Sequence, residues 1–377
     1  MSVEFHSSLR STIGIEWELH VIDRDTLELS SASPALVAAV GGGKTRPIRP
    51  EFLSCTIEIV SQPRTTIRAG LEDLRGRLDQ ILEAGEKLNV TVIGAGSHPF
   101  SHPADQTPVP TEHYHEVADM NQYWGKQMAI CGTHIHIGVD QRDKALPMTW
   151  TMARFLPYLL ALSAASPFWD GVDSGFASQR TMLFQQLRTN GLPYFFASWE
   201  QFEGCVADLI GVGVLEHADE VRWDVRPSPK FGTVENRIPD SMPTLAELGC
   251  IAAVTQCLAE YFSDGLDHGE WPDFLAPWLV AENKWRAARY GFDTEVITPE
   301  PGDRLVPLRE ALPRLVERLR PYAQRLDCEE ELEFALQIAN RGASYERQRR
   351  VCQQAGGDLK AVVAALVQET ETGHPLW

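Results

Sequence analysis

No pair of cysteines at metal-binding or redox spacing occurs in the 377 residues. Cys55, Cys131, Cys205, Cys250, Cys257, Cys328 and Cys352 form an odd, scattered set, which argues against a zinc knuckle and a disulfide framework and for a reducing compartment. Positive charge is also scarce. With 34 Lys and Arg against 52 Asp and Glu, the formal charge is -18, and a nucleic-acid surface needs the opposite sign. No nucleic-acid partner is expected. The N-terminal MSVEFHSSLR has no apolar stretch of the signal-peptide kind, and the richest apolar run, Phe155 to Ala165, is too short to span a bilayer. A soluble cytoplasmic chain with no membrane partner is expected. The motifs G-x-G-x-x-G, G-x-S-x-G and H-E-x-x-H are missing, which removes the usual Rossmann, serine hydrolase and zincin readings. GGGKT at Gly41 to Thr45 is no phosphate loop, because the template needs Gly where Ala38 stands and no clear strand precedes it. It reads as a mobile glycine turn, with Lys44 at most an accessory contact.

Hydrophobic residues at 44% and charged ones at 23% describe an ordinary globular protein, so disorder is excluded. Residues 12 to 139 read as strands interrupted by one helix, marked by Ile67, Leu71, Leu74, Leu78 and Ile81 at alternating steps of four and three. Residues 101 to 125, rich in proline and aperiodic, read as a long ordered loop and a lid candidate. A helix is expected from about Ala145 to Ser166. After Arg237 the pattern is almost wholly helical, opening with a capping box formed by Thr244 and Glu247. Strands early and helices late give an α+β fold rather than a βαβ alternation.

Four strands carry polar residues on one face. In TIGIEWELHV, alternation sends Ile13, Ile15, Trp17, Leu19 and Val21 one way and Glu16, Glu18 and His20 the other. A solvated outer face would give the same pattern once, so the argument rests on repetition. ICGTHIHIGV pairs His134 with His136, flanked by Gly132 and Gly138, whose small size leaves room for a ligand. FGTVENRIP aligns Thr233, Glu235 and Arg237, and FLSCTIEIV sets Glu58 opposite Cys55, Ile57 and Ile59. Glu51 has the wrong parity and joins the same face only through a bend or bulge. In one sheet these carboxylates and imidazoles converge on one surface. Crowded carboxylates repel and raise one another's pKa, and divalent cations remove the conflict. Oxygen-dominated ligation suits Mg²⁺ or Mn²⁺, while H-x-H with carboxylates leaves a zinc hydrolase open.

AENKWRAARYG places Glu282, Arg286 and Arg289 on one helical face. Such a stripe is either a surface ion-pair row or, together with Arg237, a set of guanidiniums for a transferring phosphoryl group.

At TIGIEWELHVID, EFLSCTIEIVSQP, CGTHIHIGV, VENRIPDSMPT and ENKWRAARYG the chain resembles the type 2 glutamate-cysteine ligase family, specifically the YbdK-like carboxylate-amine ligases. The resemblance covers nearly the whole chain. It implies one catalytic domain over residues 1–377 with a glutamine synthetase-like fold, a curved antiparallel sheet holding metal and ATP on its concave face with helices outside. It also implies Glu16, Glu18, Glu51, Glu58, His134 and Glu235 as metal ligands, with the choice between His134 and His136 open. His136 and Thr133 fall to the substrate, Arg237, Arg286 and Arg289 to catalysis, and Arg237, Arg289 and Lys284 to the nucleotide. The implied reaction phosphorylates a carboxylate with ATP and lets an amine displace phosphate, glutamate being the acid and cysteine the default amine. A homo-oligomer is compatible with it. The competing readings are a metal-dependent amidohydrolase without nucleotide and a catalytically silent metal- or nucleotide-binding protein.

Overall fold

The computed structural model describes residues 2–271, 275–299 and 304–377. Its strands are β1 (Ile13–Asp23), β2 (Ile48–Pro50), β3 (Thr56–Val60), β4 (Val90–Ile93), β5 (Thr133–Gly138), β6 (Phe168–Trp169), β7 (Val172–Asp173), β8 (Val225–Ser228), β9 (Thr233–Asn236), β10 (Glu295–Ile297) and β11 (Leu305–Pro307). Seven of them form one antiparallel sheet in the order β2-β3-β1-β5-β9-β8, with β4 paired to the far end of β1. The central β1 pairs on one side with β3 and on the other with β5 and then β4. The 11 residues of β1 therefore position every other part of the sheet.

Alternation along β1 holds as read. Ile13, Ile15, Trp17, Leu19 and Val21 are buried in the main hydrophobic core, and Trp17 satisfies its indole N–H on Ser241 Oγ and Met242 O, each at 3.1 Å. Helix Ile67–Leu88 lies on that core through Ile67, Leu74, Leu78 and Ile81, with Thr66 as its N-cap. Helix Leu245–Asp267 also packs there. Thr244 Oγ1 accepts from Glu247 N at 3.1 Å, but the Glu247 carboxylate turns to the Thr244 hydroxyl and Arg347 instead of completing the capping box. This helix is long and apolar enough to cross a membrane, yet every residue from Glu247 to Glu260 is buried inside the protein.

Two expected elements differ. The helix expected over 145–166 is broken into Arg142–Arg154 and Leu156–Ser163, because Pro157 lacks an N–H to continue the ladder and starts a new first turn. The loop expected over 101–125 instead contains helix Glu112–Lys126, interrupted at Gln122, where φ is 46°. The side chains of residues 112–118 lie outside what the structure describes.

Candidate active site

Strand register assembles a row of polar side chains on the sheet face opposite the core. Glu18 stands across from Glu58, Glu16 from His134, and His136 from Glu235. Basic residues close both ends of the row, since Arg49 pairs with Glu58 and Arg226 with Glu235. Glu51 lies just beyond β2, in the turn that leads to β3. It therefore joins the row through the expected bend, and strand parity does not apply to it.

The distances are those of a ligand cluster. His134 Nδ1 is 3.2 Å from Glu16 Oε2 and its Nε2 is 3.8 Å from Glu18 Oε1. His136 Nε2 lies 3.7 Å from both Glu16 Oε1 and Glu235 Oε2, while its Nδ1 meets Thr233 Oγ1 at 2.9 Å. Three overlapping triplets, Glu16–His136–Glu235, Glu16–Glu58–His134 and Glu18–Glu51–Glu58, each bring one donor atom per residue within 4.8 Å of the others. Both histidines thus sit among carboxylates, and the geometry leaves the choice between them open.

Charge is divided across the row. Burial pushes Glu18 up to about 7, with the charge of Glu51 adding to it. Burial likewise raises Glu51, and raises Glu58 well above the usual carboxylate range with Glu16 and Glu51 beside it. At the other end burial opposes ionisation of Glu235, but Arg226 and Arg237 outweigh it and hold that carboxyl well down. Burial and the Arg237 charge bring His134 down to about 4, so its imidazole is neutral and available as a ligand at neutral pH. Five crowded carboxylates, two imidazoles and no thiol make a donor set suited to a hard divalent cation, and such a cation would remove the penalty that burial imposes on Glu18, Glu51 and Glu58.

Two cavities open onto the row. A smaller one of about 180 Å³ is bounded by Glu18, Glu51, His134, Arg180, Arg222 and Arg237. A larger one of about 620 Å³ is bounded on its polar side by Glu16, His136, Arg46, Arg49, Lys230 and Thr233. Asn121, Gly125 and Met128 wall the smaller cavity. The segment read as a lid thus contributes Asn121 and Gly125 to the wall of the smaller cavity, from a helix rather than a loop. Thr45 and Arg46 of the glycine turn border the larger cavity, and that turn is closed by bonds from Gly42 N to Val37 O and Gly43 N to Ile48 O.

Several expectations are corrected. Thr133 shares the parity of Ile135 and Ile137, pairs with Trp17 and is fully buried on the core face, so it does not reach the site. The glycines beside the histidines leave no room for a ligand. A Cβ on Gly132 would stand 2.1 Å from Arg180 Nη2, and one on Gly138 would stand 2.2 Å from Leu9 O. That space belongs to the protein itself.

Of the expected cations, Arg237 is at the site, paired with Glu235 and 3.4 Å from His134 Nδ1. The three from helix Pro277–Tyr290 border neither cavity. Arg286 pairs with Glu282 at 2.7 Å one turn away, the surface stripe of the plainer reading. Lys284 is buried against Asp224 at 2.7 Å, and Asp224 O accepts from Arg237 N at 2.7 Å. Arg289 lies over Phe176 and Tyr290 and donates to Gly175 O, while Ala288 O accepts from Ala177 N and Ser178 N. The motif thus buttresses Arg237 and the loop that leads to Arg180.

Sequence reasoning missed Arg180, Arg222, Arg226 and Arg49. The last two were within reach, since cross-strand pairing with Glu235 and Glu58 follows once the register is known. Arg180, on the short helix Gln179–Phe184, and Arg222, just before β8, carry no periodic signal.

Comparison with known proteins agrees with this geometry. The sequence pattern of glutamate-cysteine ligase family 2 matches residues 12–365. A Nocardia farcinica protein named as a candidate glutamate–cysteine ligase 2-2 is 46% identical over 375 residues, 98% of each chain. A Leifsonia xyli protein named as a candidate glutamate–cysteine ligase 2 is 45% identical over 375 residues, 98% of this chain and 99% of that one. The solved glutamate–cysteine ligase of Francisella tularensis in complex with AMP aligns with a TM-score of 0.69 at 13% identity, over 98% of this chain and 90% of that chain. The last likeness shows a shared fold.

Proposed function

The chain belongs to glutamate-cysteine ligase family 2, and from that premise we propose that it is an ATP-dependent carboxylate–amine ligase with glutamate as its acid and cysteine as its default amine. The observation that carries the proposal is the row of Glu16, Glu18, Glu58, Glu235, His134 and His136 on one sheet face, joined by Glu51 from the turn after β2, in three overlapping triplets at ligand distance with Arg237 beside them. Mg²⁺ or Mn²⁺ held by these residues would neutralise the phosphate oxygens of ATP and the charge that develops during transfer.

The chain's own residues then position rather than react. One carboxylate oxygen of the acid attacks the γ-phosphorus, the bond from that phosphorus to the bridging oxygen breaks, and ADP leaves with the electron pair. The product is an acyl phosphate. Its carbonyl carbon is attacked by the neutral amine, which loses a proton as phosphate departs, so one ATP and one amide bond balance. Arg237, fixed against Glu235 and near His134, would stabilise the transferring oxygens, and no covalent nucleophile is needed. Phosphoryl transfer to the acid also requires water to be excluded, a role suited to the wall formed by Asn121, Gly125 and Met128.

The seven unpaired cysteines accord with a cytoplasmic location. A trapping experiment tests the reading. With Mg²⁺, ATP and L-glutamate but no amine substrate, added hydroxylamine should yield the glutamyl hydroxamate together with ADP. ADP formed at the same rate without acid contradicts ligation, and zinc-dependent amide hydrolysis without nucleotide supports the amidohydrolase reading instead.

A further inference from the structure

We propose that the smaller cavity is the pocket for the acid substrate, that Arg180 anchors the carboxylate which is not phosphorylated, and that Asp240 is the residue positioning Arg180. This assignment rests on the ligase reading and deepens it.

Size separates the two cavities first. The opening beside Arg180 is the smaller, about 180 Å³, a size that suits an amino-acid-sized acid better than a nucleoside triphosphate. The opening of about 620 Å³ has nucleotide dimensions. It also presents Lys230, Arg46 and the exposed ring of Phe231.

Arg180 is the second observation. Its side chain is buried, and its Nη1 and Nη2 donate to Ile238 O at 3.1 Å and Arg237 O at 3.3 Å. Its Nε is buried without a hydrogen-bond partner among the described residues, and its nearest ion-pair carboxylate, Asp240, stands 4.0 Å away. A guanidinium held by neutral carbonyls, with its counter-ion beyond hydrogen-bond reach, is a costly arrangement in a protein interior. A bound carboxylate would supply the missing charge-assisted bonds. Arg222 and Arg237 line the same cavity, with Phe184, Leu187 and Met128 as apolar walls for a short methylene chain.

The surrounding structure fixes that guanidinium in place. Asp240 accepts from Ala165 N at 2.8 Å, Ser166 Oγ at 2.6 Å and Ser178 Oγ at 2.8 Å. Ser166 Oγ in turn accepts from Arg180 N at 3.1 Å, and Ser178 caps the helix that carries Arg180. Gly96 and Gly132 lack the Cβ atoms that would collide with Asp240 and Arg180. The acid's reactive carboxyl then faces Glu18, Glu51 and His134 while its other carboxylate meets Arg180. Monocarboxylic acids should accordingly be poor substrates.

The test uses thermal shift and steady-state kinetics on the full chain. The parent should gain melting temperature with Mg²⁺ and AMP-PNP, and gain further with L-glutamate. In Arg180→Gln the half-saturating L-glutamate concentration should rise on the order of 10²-fold, as for loss of bonds to a charged group, while the nucleotide response stays within about twofold. Arg180→Lys should recover part of the loss. Asp240→Asn should raise the KM for L-glutamate by about tenfold and leave kcat and the KM for ATP nearly unchanged, because it alters placement and not chemistry. Equal L-glutamate responses in the parent and in both Arg180 variants overturn the assignment, and so does loss of the nucleotide response in its place. A parent that responds to nucleotide but not to L-glutamate sinks this assignment alone, whereas one that responds to neither sinks the ligase reading with it.

Discussion

Replacing Glu18 with Gln should make the metal-free protein more stable and the enzyme inactive. Glu18 accepts a hydrogen bond from Gly132 N and faces Glu58 across the strand pair, with Glu51 close by. Gln keeps the acceptor for Gly132 and gives the neighbouring carboxylates a donor in place of a charge. The magnitude follows from the carboxyl itself. Its value rises from 4.5 to about 7 on folding, chiefly through burial, and at ~1.36 kcal/mol for each pH unit that is about 3 kcal/mol. The sign is unfavourable to the folded state. Below about pH 4.5 both states hold the proton and nothing is lost, while above about 7 the folded protein carries a buried charge the unfolded chain accommodates freely. At ~2.1 cal/mol/K of unfolding entropy per residue over 377 residues, the gain is about 4 °C in Tm. Differential scanning calorimetry at pH 8 in chelator should show it, and it should shrink to about 1 °C near pH 5. With Mg²⁺ and ATP added, the variant should show a much smaller rise in Tm than the parent. If Glu18 were a structural partner, its loss would cost the metal-free protein roughly 3 to 5 kcal/mol and leave the ligand response intact. That outcome would refute the reasoning.

Arg237→Lys should lower kcat on the order of 10²-fold, because a point donor replaces a planar fork at the transferring oxygens, whereas Arg286→Ala, which removes a surface pair, should keep turnover within about twofold. Comparable losses in the two would place Arg286 in the reaction. His98 is brought down to about 3 by burial and by the charge of His20, so the unfolded chain takes up a proton first and stability falls as pH drops below about 6.5. His98→Asn keeps an acceptor for Ser101 N and should reduce the loss of stability between pH 7 and 5 by about 2 kcal/mol, measured by urea unfolding. A slope equal to the parent's contradicts this.

The parts of the fold and site that could be read from sequence are those with a period of two. Strict alternation in TIGIEWELHV, THIHIG and TVEN sends Glu16, Glu18, His134, His136 and Glu235 to one side of their strands, and the paired registers carry those positions onto one face. The same rule correctly applied would have removed Thr133, which shares parity with Ile135. Nearness across the chain had no such signal. Arg180 reaches Gly132 only because helix Gln179–Phe184 is hung from Asp240 and from Ala288 O. The motif around Arg286 and Arg289 stands out in sequence, yet Lys284 and Arg289 act on Asp224 and Gly175, which hold other residues in place. A sequence pattern of charge cannot distinguish a residue at the reaction from one supporting it.

The most direct test of ligation is the dependence of ADP release on two added substrates. Purified protein with Mg²⁺ and ATP should release little ADP alone and a limited amount with L-glutamate. It should turn over continuously when L-glutamate is joined by an acceptor amine such as L-cysteine, with one amide formed for each ADP. Continuous ADP release that ignores both the acid and the amine, or amide chemistry that proceeds without ATP, would contradict the account.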